Sequence, residues 1–187
     1  MKNALLLPLL FLSALAFAQR ETIIPASETP VVTPYVSFED YVNLVNKVKP
    51  HRETHLISID VFQQMLLDSN TLILDTRSDA MFKAKHIKGA IHLNFSDFTQ
   101  ANLERIIPSR ATRILIYCNN NFGDDQINFP TKSYSPPPTK NQKEITLALN
   151  IPTYINLFGY GYENVYELES LVPTMFFSEL FEGTAVE

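Results

Sequence analysis

Four short apolar runs constrain this chain more than any other feature: TLILD (Thr71–Asp75), AIHLNF (Ala90–Phe95), RILIYC (Arg113–Cys118) and NVYEL (Asn164–Leu168). Each is bounded by polar residues and too short for a buried helix, which is the pattern of a strand covered on both faces. Between them lie segments of helical spacing, SDAMFKAKH (Ser78–His86), DFTQANLERII (Asp97–Ile107) and ITLALNIPTYINLFGYG (Ile145–Gly161). Strand alternating with helix predicts an α/β domain built on a central parallel sheet with helices on both faces.

The pattern extends toward the N-terminus. A brief strand at Leu56 and Ile57 precedes Ser58, which caps a helix carrying Val61, Phe62, Met65 and Leu66. Before that, Ser37 caps a helix with Phe38, Tyr41, Val42, Val45 and Val48 on one side, and Pro50 is expected to end it. The chain opens MKNALLLPLLFLSALAFAQR, an apolar run from Ala4 to Phe17 closed by the small-residue site at Ala16 and Ala18. The run is shorter than the roughly 20 residues of a spanning helix and has the form of a secretory signal peptide. The expected plan is a signal peptide (1–18), an extended leader (19–36), a helical extension (37–55), the α/β domain (56–176) and a C-terminal tail (177–187). A protein so made is exported, to the periplasm or the outside, and keeps no membrane span after cleavage. A net charge of -5 argues against nucleic acid as a partner.

Export leads to a compartment where disulfides form, yet Cys118 is the only cysteine and has no internal partner. It lies at the carboxyl end of a predicted buried strand, the edge at which open α/β sheets build their sites. There it is either a small packing residue or a nucleophile, the second if a helix N-terminus beyond it favours the thiolate. The three asparagines that follow, Asn119, Asn120 and Asn121, tolerate left-handed backbone. With Phe122 and Gly123 they form either a polar turn or a cradle of N–H groups around an anion. Asp75 and Arg77, at the end of another strand, form either a scaffold pair or a charge that supports a thiolate. From Asn119 to about Gln142 the chain is a long loop rich in Asn and Pro.

The stretch LILDTRSDAMFKAKHIKGAIHLNF (Leu72–Phe95) resembles the first signature of rhodanese-like domains, a strand ending in Asp-x-Arg with a downstream His-Ile-x-Gly-Ala. RILIYC resembles the strand leading to that family's active-site cysteine, and FGYGYENVYEL (Phe158–Leu168) resembles the stretch that brings in its last strand. The resemblance implies a single rhodanese-like domain in which Cys118 takes up sulfane sulfur as a persulfide and passes it to an acceptor. Asn119 to Gly123 would form the active-site loop, and Asp75 and Arg77 would support it. The partners implied are a small sulfur donor and a thiol or other nucleophilic acceptor, with neither cofactor nor metal.

The chain departs from the family after the cysteine. Relatives have a short loop of small residues, often with a cation, that turns directly into a helix; here Asp124, Asp125 and the long loop intervene, and the helix is expected only from about Lys143. Both aspartates oppose a thiolate if they face it. Lys132, Lys140 and Lys143 are the cations available to restore positive charge. No arginine stands where phosphatases of this fold clamp phosphate, so that chemistry is not expected. The departures motivate an alternative, a binding module without turnover whose 119–142 loop contacts a protein partner. A free exported thiol also admits a redox role.

Overall fold

The computed structural model describes residues 35–137 and 144–186. The expected signal peptide, and all of the leader except Tyr35 and Val36, lie outside the described residues. From Ser37 onward the chain forms one unit. Among the described residues no helix is long and apolar enough to cross a membrane.

Strands β1 (Leu56–Ile57), β2 (Thr71–Asp75), β3 (His86–Ile87), β4 (Ile91–His92), β5 (Arg113–Ile116), β6 (Ser133–Tyr134), β7 (Ile145–Thr146), β8 (Val165–Leu168) and β9 (Phe181–Glu182) are accompanied, among the described residues, by five α-helices. These are α1 (Phe38–Glu53), α2 (Ile59–Leu66), α3 (Asp79–Ala84), α4 (Gln100–Ile106) and α5 (Asn150–Gly159). The central sheet runs β1-β8-β5-β2-β4, and every pairing in it is parallel. Alternation along the strands divides the core into two layers. Leu72, Leu74, Ile114, Ile116 and Val165 pack with Val48 of α1, Leu103 of α4 and Tyr154 and Leu157 of α5. Ile73, Leu115, Tyr117 and Leu168 face the other way, onto Phe62 of α2 and a cluster of Phe122, Phe129 and Phe181. The expected parallel sheet with helices on both faces is the architecture found.

Four local expectations are corrected. Helix α1 continues through Pro50 to Glu53. Proline forfeits one intrahelical bond, but the last turn is held from outside. Tyr154 donates its hydroxyl to Val165 O and accepts from His51 Nδ1 at 2.9 Å, while Arg52 grips Glu167 in a two-point ion pair at 2.5 and 2.6 Å. The run AIHLNF yields only the two-residue β4, after which Leu93 N and Phe95 N donate to Asp75 O and Thr76 O. The segment from Ile145 begins as β7, which pairs with β6 to make a hairpin inside the expected loop, so the helix starts only at Asn150. Residues 177–186 are no free tail but pack onto the core: Phe181 is buried, Phe177, Leu180 and Val186 lie against the same cluster, and β9 pairs antiparallel with β3.

Candidate active site

Strand β5 continues through Tyr117 to Cys118, which is 1% exposed. The chain then makes one turn of 3-10 helix over Asn119–Asn121. Asn121 builds this turn: its Oδ1 accepts from Cys118 N at 2.9 Å, and its Nδ2 donates to Leu168 O at 2.8 Å and Ser170 O at 3.1 Å. One buried side chain therefore ties the cysteine backbone to the end of β8. Its own carbonyl accepts from Val172 N at 2.6 Å. Asn120 pairs by its side chain with the backbone of Lys132. Asn119 is buried, and its Oδ1 has no hydrogen-bond partner among the described residues. Asn120 and Asn121 thus hold the turn largely through their side chains. Phe122 lies in the aromatic cluster against Tyr117, Phe129 and Phe181, and Gly123 packs against Leu171.

The sulfur meets a helix after all. Helix α5 begins without a side-chain cap, and Leu149, the residue at its N-cap, donates its backbone N–H to Cys118 Sγ at 3.2 Å. An uncapped helix N-terminus carries orphan N–H groups and partial positive charge, which favour an anion. Pro152 falls in the first turn, where its missing N–H costs nothing. The helix is fixed over the sheet edge by a buried bond of 2.9 Å between the hydroxyls of Thr76 and Thr153. Just over thirty residues separate the cysteine from this helix in sequence, yet the helix returns to the sulfur.

Asp75 and Arg77 form a fully buried ion pair at 2.6 Å. The Arg77 guanidinium also donates to Lys85 O at 2.7 Å and to Asn128 O at 3.1 Å, and lies 4.4 Å from the centre of the Phe129 ring. Burial works against its charge, and the bonds to Asp75 more than offset this, so its pKa is raised. Tyr117 completes the group, donating to Asp75 Oδ2 at 2.5 Å and accepting from Ile87 N at 3.2 Å. Burial first, and then the Asp75 carboxylate, push the Tyr117 hydroxyl well above its ordinary range, so it remains a neutral donor. Among the described residues every hydrogen bond of the Arg77 side chain goes to this scaffold, and through Asn128 it fastens the long loop to the sheet.

The two aspartates that follow the cysteine loop are engaged locally. Asp124 caps the turn at Thr174–Phe176, accepting from Thr174 N at 2.9 Å. Asp125 accepts from Asn128 N at 3.1 Å and pairs with Lys85 Nζ at 3.0 Å. For both, burial raises the carboxyl pKa but hydrogen bonds outweigh it, and the net shift is downward. Of the candidate cations, Lys132 has an exposed side chain, and Lys140 and Lys143 lie outside the described residues. A cavity of about 230 Å³ opens beside the cysteine turn, walled in part by Arg52, Asn120, Asn121, Asn150, Glu167 and Glu169.

Sequence reasoning brought Cys118, its turn, Asp75 and Arg77 to one sheet edge, and the structure places them there. It missed Tyr117, whose period-2 position beside Leu115 marks it as buried on the loop side of β5. It also missed the Leu149 N–H, a backbone group with no side-chain signal, and Arg52, which reaches the cavity from α1.

The profile of the rhodanese-like domain family matches residues 58–169. Among solved structures, the chain is similar to BH2092 protein from Bacillus halodurans, at 14% identity and a TM-score of 0.44, over 77% of this chain and 88% of that one. It is also similar to wild-type EanB, at 19% identity and a TM-score of 0.39, over 60% of this chain and 23% of that one. No curated protein matches.

Proposed function

The chain belongs to the rhodanese-like domain family, and from that premise we propose that it is an exported sulfurtransferase carrying sulfane sulfur on Cys118. The observation that carries the reading is the Leu149 N–H on Cys118 Sγ at the uncapped start of α5. In the first step the Cys118 thiolate attacks the outer sulfur of a donor such as thiosulfate. The new sulfur–sulfur bond forms as the donor's own breaks, and sulfite leaves with the bonding pair. In the second step a thiolate acceptor attacks the outer sulfur of the persulfide and Cys118 departs as thiolate. The α5 N-terminus stabilises the anion at the start and end of this cycle. The cavity beside Asn120 and Asn121 is the approach for donor and acceptor, and the Asn119 turn is the loop against which the persulfide rests. Export rests on the Ala4–Phe17 run and its small-residue site.

The test is sulfite release from thiosulfate with a small thiol as acceptor. The mature protein should release sulfite over many turnovers, and Cys118→Ser should release none. Equal rates in the two proteins would remove Cys118 from the chemistry.

One observation favours a second reading, a binding module without turnover: the long loop and its hairpin present Ile127, Tyr134, Ile145 and Leu147 to solvent, a surface suited to an apolar protein partner. Cys118-dependent sulfite release would contradict it.

A further inference from the structure

The turn of Cys118 and the start of α5 are brought together by a closed set of hydrogen bonds in which the Asn120 side chain links the cysteine turn to the hairpin. Lys132 N donates to Asn120 Oδ1 at 2.7 Å, and Asn120 Nδ2 donates to Lys132 O at 2.9 Å. A primary amide offers a donor and an acceptor side by side, so it meets a backbone residue as a strand neighbour would. Lys132 O also accepts from Leu147 N at 2.9 Å, and the ladder continues through the pairing of Ser133 with Thr146 and Tyr134 with Ile145. Leu147 stands two residues before Leu149, whose N–H reaches Cys118 Sγ. Cys118 in turn stands two residues before Asn120, and the ring closes.

We propose that Asn120 is a positioning residue for Cys118, acting by docking the β6–β7 hairpin so that the Leu149 N–H is held on the sulfur. A pair of two-residue strands is marginal without an outside anchor, and the long connection from Phe122 to Ala148 carries its own closure entropy. Asn120 anchors it at the residue from which Leu147 also hangs. The consequence for sulfur transfer rests on the function proposed above, whereas the geometry does not.

The experiment compares hydrogen exchange at individual amides, and the pH profile of Cys118 alkylation by iodoacetamide, in the native protein, Asn120→Asp and Asn120→Ala. The aspartate variant keeps the acceptor for Lys132 N and loses the donor; alanine loses both. In Asn120→Ala the Leu149 amide should exchange about tenfold faster, the scale of one or two lost hydrogen bonds in a local opening, and the alkylation profile should move to higher pH. Asn120→Asp should fall between. The amides of Ile114, Leu115 and Ile116 should exchange as in the native protein. An unchanged Leu149 rate with an unchanged alkylation profile in either variant would overturn the proposal, and so would a uniform loss of protection across β5. Neither readout requires sulfur transfer. A protein that releases no sulfite but shows these shifts defeats the functional reading alone, and one that releases sulfite without them defeats this proposal alone.

Discussion

Replacing Arg77 by methionine strips the Asp75 carboxylate of its counter-ion in a site from which water is excluded, and releases Lys85 O and Asn128 O together. Breaking a buried pair from one side costs about 3 to 5 kcal/mol, so urea unfolding of Arg77→Met should show a loss of that size or no folded state at all. Tyr117→Phe removes one bond to Asp75 and leaves Ile87 N unpaired. A smaller loss of about 1 to 3 kcal/mol is expected in the same assay. The sequence left Asp75 and Arg77 open between scaffold and thiolate support because an Asp-x-Arg spacing fixes where two charges lie and not what else reaches them. The deciding contacts come from Lys85 and Asn128, which no local pattern ties to Arg77.

Among the elements, the segment between Cys118 and α5 carries the departure from the rhodanese-like pattern and its own pH dependence. Asp124 and Asp125 have folded-state pKa values below their usual range, through bonds from Thr174 and Met175 in one case and from Asn128 and Lys85 in the other, which outweigh burial. A depressed carboxylate stabilises the fold above its unfolded pKa of roughly 3.9, and that contribution is lost as pH falls through the lower folded value. Acid titration followed by near-ultraviolet circular dichroism should therefore show stability falling below about pH 4. Asp125→Asn should flatten the fall. An unchanged slope would mean that Asp125 is not held by Lys85 and Asn128. Helix α1 lies outside the matched residues 58–169 yet supplies Arg52 to Glu167. Arg52→Ala leaves a carboxylate of 2% exposure unpaired, and a loss of about 3 kcal/mol is expected on urea unfolding. The sequence showed α1 through its Ser37 cap and apolar spacing but set its end at Pro50, because the bonds that carry the last turn come from Tyr154 and Glu167.

At the scale of the whole molecule, the parallel sheet was legible because its strands are apolar on both sides and bounded by polar residues, as in Thr71–Asp75 and Arg113–Ile116. The pieces that were not legible are two-residue strands, β6, β7 and β9, which are defined by their partners and have no period of their own. The same limit hid the return of α5 to Cys118: the loop composition showed an interruption, while the contact that spans it is a backbone N–H. The proposal that this contact keeps Cys118 a working sulfur carrier despite the interruption is tested most directly by the intact mass of the mature protein after incubation with thiosulfate and removal of the reagent. One added sulfur atom is expected, discharged by a thiol and absent from Cys118→Ser. A mass that does not change, or an added sulfur that persists in Cys118→Ser, would contradict it.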